Sequence, residues 1–123
     1  MSNAFIFSAA NSAAQKHFQD TVVNGIALED VLEHLTDLEE SETLRRAYSD
    51  GKAFLWAGHS GAHDERYWDL MVPGDLLLGY RDRSIISAAF IVGKLKSESL
   101  ALMAWPDASE RPYDLIYFMA TPV

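Results

Sequence analysis

Cysteine is absent from the 123 residues of this sequence, which excludes disulfides, thiolate zinc sites and cysteine nucleophiles. Long hydrophobic runs are also absent, because no apolar stretch approaches the roughly 20 residues that a membrane-spanning helix needs. The start lacks the basic region and apolar stretch of a secretory signal. We therefore expect a cytoplasmic protein with no membrane partner.

Basic residues are few: 10 Lys and Arg stand against 18 Asp and Glu, which gives a net charge of −8. The imbalance lies entirely in residues 1–75, which hold 13 acidic and 5 basic residues, whereas residues 76–123 hold 5 of each. Non-specific nucleic-acid affinity comes from neutralising phosphates, so the excess of acid argues against that kind of binding. It does not exclude a local basic surface in the second half of the chain.

Apolar runs predict five strands. A short run at residues 4–7 predicts a first strand, and four more follow at residues 53–57, 76–80, 84–95 and 115–119. Arg81, Asp82 and Arg83 predict a tight hairpin turn between two of these strands.

Helices are predicted mainly in the first half. A capping box at Ser12 begins one helix, and Ser41 is the expected N-cap of another. Between them, an amphipathic helix with an acidic face is predicted from apolar residues at helical spacing: Leu28, Val31, Leu32, Leu35 and Leu38. Short helices are also predicted at residues 65–71 and 97–104. Early helices followed by closely connected strands predict an α+β fold in one domain, residues 1–123, with a small, strongly curved sheet or barrel flanked by helices.

Metal-binding residue types gather after the second predicted strand: His59, His63, Asp64 and Glu65. The two histidines share a face only on a helix, which Gly58 and Gly61 disfavour, so a polar loop is the favoured interpretation. Ser60 lies in Gly-His-Ser-Gly, which lacks one spacer of the Gly-x-Ser-x-Gly elbow of serine hydrolases. We expect no metal, no cofactor and no catalysis. A metal-dependent hydrolase using His59 and His63 is the least favoured alternative.

The three tryptophans remain as candidates for a binding site. Trp68 lies among apolar residues and is expected in the core. Trp56 ends a predicted strand and small residues follow it, so core packing and stacking on a flat ligand both fit. Trp105 stands before Pro106, where a short predicted helix breaks.

Several stretches resemble one family. They are FLWA at residues 54–57, YWDLMVPGDLLLGY at residues 67–80, AFIVGKL at residues 89–95, MAW at residues 103–105 and YDLIYF at residues 113–118. Together they resemble PUA-like domains, in particular EVE domains and the N-terminal specificity domains of McrB-type, modification-dependent restriction systems. The resemblance covers nearly the whole chain.

The resemblance implies a small β-barrel that binds nucleic acid and, in some members, accepts a flipped, modified DNA base in an aromatic pocket. The base-binding residues that it implies are Trp56, Ala57, Gly58, His59, Ser60, Tyr80 and Trp105. Phosphate contacts are expected from Arg81, Arg83, Lys94 and Lys96. Because no nuclease or motor segment is apparent, cleavage is expected to require a separate domain or subunit.

The sequence also allows two alternative functions. One is a protein-interaction or assembly module, in which the acidic helix at residues 28–42 docks a basic partner and Trp56 packs inside a closed barrel. The other is an RNA-binding, EVE-like domain. An open aromatic pocket at Trp56 is the feature that would favour the modified-base reader.

Overall fold

A computed structural model describes residues 3–121, apart from the side chains of residues 62 and 63. The strands are β1 (Ala4–Ser8), β2 (Ile26–Ala27), β3 (Lys52–Gly58), β4 (Leu76–Arg81), β5 (Ser84–Lys96) and β6 (Leu115–Met119). The α-helices are α1 (Ser12–Phe18), α2 (Leu28–Leu32), α3 (Leu38–Ala47), α4 (Ala62–Leu70) and α5 (Glu98–Ala104). A π-helical turn (Gln19–Val23) extends α1, and a 3-10 turn (Pro106–Ala108) follows α5. This composition confirms the α+β prediction.

The six strands form one sheet in the order β1-β4-β5-β6-β3-β2. The first strand runs parallel to β4, and all other neighbours are antiparallel. The two-residue strand β2 was not predicted. Within residues 3–121 no ladder joins β1 to β2 or β3, so the sheet is not closed into a barrel and that part of the prediction is not confirmed.

The predicted amphipathic helix through Leu38 is wrong in its extent. The chain leaves α2 after Leu32 and begins α3 at Leu38, whose side chain is 83% exposed. Asp37 causes the restart, because its carboxylate accepts hydrogen bonds from the N–H groups of Glu39 and Glu40 and so caps α3. Ser41, the predicted cap, lies inside that helix. Local capping by Asp37 thus overrides the apolar spacing.

The core is centred on β6, in which every residue is buried. Tyr48, at the end of α3, is also buried, and its hydroxyl donates to the carbonyls of Phe54 (3.1 Å) and Met119 (2.5 Å). Burial raises the pKa of that phenol. These bonds tie α3 to β3 and β6, which hold one wall of the site described below.

The edge strand β1 lies unusually close to β4 at one point. A Cβ added at Gly79 would lie 2.8 Å from Cζ of Phe7, so only glycine leaves room for that ring. Phe7 continues inward and contacts Trp56, with ring centroids 4.8 Å apart. The phenyl ring of Phe7 therefore connects the edge strand β1 to β3, which lies next to the opposite edge of the sheet.

A buried carboxylate fixes the turn before β4. Asp75 accepts hydrogen bonds from the N–H groups of Asn3 and Val72, both at 3.0 Å, and these bonds hold the pKa of its carboxyl below the usual range. A carboxyl with a lowered folded-state pKa stabilises the fold at neutral pH, and this stabilisation disappears as pH falls through that pKa.

We expect the unfolding temperature of the wild type to be level above about pH 5 and to fall below about pH 4. Asp75→Asn should lower it at pH 7 and make its fall in acid shallower, because one titrating group is removed. Thermal unfolding followed by circular dichroism from about pH 7 to about pH 2 measures both effects. The matched control is Asp82→Asn in the exposed β4–β5 turn. Parallel curves for wild type and Asp75→Asn would contradict the prediction.

Candidate nucleic-acid interface

Trp56 is a core residue that also borders open space. Its side chain points inward from β3, is 8% exposed, and packs against Phe7 and Phe18 with centroid distances of 4.8 and 6.2 Å. Its remaining surface lines two cavities. Trp56 therefore packs in the core with most of its surface and borders the two cavities with the rest.

The two cavities lie on either side of the end of β3. The larger, of about 730 Å³, lies between the free edge of β1 and helix α4, with Tyr67, Trp68 and Met71 on its helical wall. The smaller, of about 200 Å³, lies between α1 and the segment that leads into β6. We call these the large and the small cavity. Both are lined by Ser8, Trp56, Ala57, Gly58 and Asp64.

Aromatic rings form much of the small cavity. His59 stacks on Tyr113 with centroids 4.1 Å apart, and Trp105 meets the same tyrosine edge-on at 5.8 Å. His17 adds a further ring, 5.5 Å from Tyr113. Its Nε2 lies 2.8 Å from the carboxylate of Asp107, and this hydrogen bond lowers the pKa of Asp107. Flat ring faces and ring edges of this kind suit a flat ligand.

Trp105 lines the small cavity but is almost fully buried. Its ring is 2% exposed, so it offers no open face as a second stacking wall. Its Nε1–H is closed to solvent and has no hydrogen-bond partner among residues 3–121. A buried donor without a partner is uncommon and costly, and here it belongs to a residue that lines a cavity.

Two carboxylates hold the loop after β3. The N–H of His59 donates to Asp64 Oδ2 at 3.0 Å, and the N–H of Ser60 donates to Asp114 Oδ1 at 3.0 Å. The hydroxyl of Ser60 also donates to Asp114 Oδ2. Burial opposes ionisation of Asp114, but the bonds from Ser60 outweigh it and hold the pKa of that carboxyl below its usual range. The predicted polar loop is therefore anchored by two carboxylates, and its His59 lines the small cavity.

The four predicted phosphate contacts fall into two groups. Arg81 and Arg83 lie at the β4–β5 hairpin, beside the end of β1 that lines the small cavity, because the N–H of Ala9 donates to Tyr80 O at 2.9 Å. Lys94 instead donates to the carbonyl of Trp68 at 2.7 Å and lies 4.4 Å from that ring centroid. Lys96 lies 3.5 Å from Glu65. The structure thus places the two arginines on the hairpin beside the end of β1, although neither lines the small cavity, and it places the two lysines against α4.

Tyr80 is separated from the other predicted base-binding residues. It follows the buried Gly79 on β4, is 38% exposed, and lines neither cavity. Sequence reasoning missed Tyr113 and His17 as members of the site. Tyr113 lies just before a predicted strand, and His17 lies on a predicted helix far away in sequence. Only the fold brings them to Trp56.

The metal-binding interpretation gains no support. Among the described residues, no group of three or more His, Asp or Glu side chains is placed to hold an ion. The side chain of His63 lies outside that part. Helix α4 begins at residue 62, earlier than predicted, so the polar loop covers only residues 59–61. Among residues 3–121 no helix is both long and apolar enough to cross a membrane.

The fold has a solved counterpart. It is similar to the structure described as the N-terminal domain of Thermococcus gammatolerans McrB bound to m5C DNA, with a TM-score of 0.70 and 14% sequence identity. The similarity covers 98% of this chain and 74% of that one. The expected resemblance to McrB-type domains is therefore confirmed at the level of the fold. No protein-family model and no curated protein matches the sequence.

Proposed function

We propose that the chain is a DNA-binding module that takes a methylated cytosine out of the duplex and holds it in the small cavity. The observation that carries this proposal is the small cavity itself, about 200 Å³ between Trp56, Tyr113 and the hydrogen-bonded loop after β3. The similar McrB domain is described as bound to m5C DNA, which supports methylated DNA as the ligand.

The cost of extruding a base and the gain from stacking it are of similar size. Extruding a base from a duplex costs a few kcal/mol, and stacking on aromatic side chains returns about 1–3 kcal/mol per base. A methyl group adds apolar area without charge, so ring faces such as Tyr113 sense it by contact. The loop held by Asp64 and Asp114 is fixed before the ligand arrives, which lowers the entropy cost of binding.

We further propose that the chain has no cleavage activity of its own. Any cleavage of the bound DNA would come from a separate nuclease or motor domain or subunit. The runner-up is an assembly module in which the acidic segment docks a basic partner. A groove of about 250 Å³ between α3 and β5 supports it, with an apolar floor that includes Val92 and Leu95 and with Asp37, Glu39 and Glu40 at its side.

Fluorescence anisotropy separates these functions. Short duplexes that contain 5-methylcytosine or cytosine, together with single-stranded RNA, are titrated at about 50 and about 200 mM salt. We expect tightest binding to the methylated duplex, and a methylated-to-unmethylated ratio that persists at the higher salt. A preference for RNA would favour the EVE-like alternative, whereas no binding by folded protein would favour the assembly module.

The hairpin arginines give a second prediction. Arg81→Ala/Arg83→Ala should weaken binding to methylated and unmethylated duplexes by a similar factor and reduce the slope of log affinity against log salt by about 2. Phosphate contacts carry no sequence information, so the ratio between the duplexes should not change. The matched control is Arg45→Ala/Arg46→Ala on exposed positions of α3. Equal losses in both double variants would show that only net charge matters.

A further inference from the structure

Asp64 occupies a special position between the two cavities. It lies in the first turn of α4, and its side chain packs beneath Gly58, where an added Cβ would lie 3.0 Å from Oδ2. The same oxygen accepts the N–H of His59 at 3.0 Å. Backbone contacts on two sides therefore fix the carboxylate where it lines both cavities.

The second carboxylate oxygen of Asp64, Oδ1, accepts no hydrogen bond from the described residues. Among residues 3–121, neither cavity is lined by Lys or Arg. The other titratable side chains that line the small cavity are His17, His59 and Tyr113. Burial, and then the charge of Asp64, raise the pKa of Tyr117, which lines the large cavity. The cavities thus contain a fixed acceptor that attracts donors and repels other acceptors.

A reader of 5-methylcytosine has to reject thymine, which carries the same methyl group at position 5. The two bases differ at position 4, where cytosine has an amino donor and thymine has a carbonyl acceptor. Aromatic walls that sense the methyl group cannot separate them. A fixed acceptor facing position 4 can, because it gains a hydrogen bond from one base and meets repulsion from the other.

We infer that Asp64 Oδ1 accepts a hydrogen bond from the 4-amino group of the bound base and so discriminates 5-methylcytosine from thymine. This inference rests on the proposed function. Asp64 thus determines specificity for the group that the bound base carries at ring position 4.

The test uses three duplexes in which 5-methylcytosine, thymine or cytosine stands opposite an abasic site, so that no target base loses a Watson–Crick partner on flipping. We expect wild type to bind the 5-methylcytosine probe about tenfold more tightly than the thymine probe, as one hydrogen bond to a charged group allows. In Asp64→Asn this ratio should fall to about one or below, because the amide still accepts from His59 and offers a donor to the thymine carbonyl.

Glu65→Gln is the matched control, because it removes the same charge from the next residue, which pairs with Lys96 and lines neither cavity. Each variant is titrated from one protein sample into both probes. An unfolded fraction then lowers both apparent affinities equally and leaves their ratio unchanged. If the 5-methylcytosine-to-thymine affinity ratio is unchanged in Asp64→Asn, this inference is overturned. The proposed function still stands in that case, provided that wild type binds the 5-methylcytosine probe more tightly than the cytosine probe. Without that wild-type preference, both are overturned.

Discussion

Replacing Trp56 by alanine is expected to lower the free energy of unfolding by about 3–5 kcal/mol, the cost of removing a large aromatic side chain from a packed core. Trp56 contacts Phe7 from the edge strand and Phe18 from α1, so its loss leaves a void where three elements meet. Urea unfolding monitored by circular dichroism measures the change as a shift in midpoint at constant slope.

Trp56→Phe is the matched control, because it keeps an apolar ring in contact with Phe7 and should cost clearly less than the alanine variant. A loss below about 1 kcal/mol in Trp56→Ala would show that the residue is not part of the core. The expected size of the effect also limits the use of Trp56→Ala in binding experiments. Lost affinity in that variant reports unfolding as much as a lost contact, so Trp56→Phe is the variant to use with DNA.

Tyr113→Ala is expected to weaken binding to a 5-methylcytosine duplex by about 1–3 kcal/mol, the usual value of one base-stacking aromatic side chain. Tyr113 is only half-buried and stacks on His59 at the wall of the small cavity, so its removal should cost the fold much less than removal of Trp56. Anisotropy titrations of methylated and unmethylated duplexes, together with urea unfolding, separate the two effects.

Tyr67→Ala provides the comparison, because Tyr67 lines the large cavity from α4. If the base occupies the small cavity, Tyr113→Ala should reduce the methylated-to-unmethylated ratio and Tyr67→Ala should leave it near the wild-type value. The reverse result would place the base in the large cavity. Equal and small effects in both would argue against a cavity-bound base altogether.

The strands were predictable because their information is local. Apolar runs identified β1, β3, β4, β5 and β6 to within a residue or two. The two-residue β2 carries too short a pattern for such reasoning. The helix that was expected to run through Leu38 failed for another reason, since apolar spacing does not show that the carboxylate of Asp37 caps a new helix.

The candidate site was less predictable, because its parts are far apart in sequence. Trp56 and the loop through Ser60 were found from a strand that ends in small residues. Tyr113 and His17 carry no local sequence signal, and only the fold brings the two rings together, 5.5 Å apart. The strand that holds Tyr80 was predicted correctly, but the sequence did not show that this side chain is exposed and lines neither cavity.

The parallel pairing of β1 with β4 has a consequence for folding. Ala4 is in register with Leu76, and the bond from Asn3 to Asp75 spans 72 residues, so closing this loop carries a large entropy cost and belongs among the slow, non-local steps. Because β1 lines both cavities, the cavity that we propose binds the base does not exist until that step is complete. During synthesis, the first strand has to wait for β4, and competence to bind follows the emergence of nearly the whole domain.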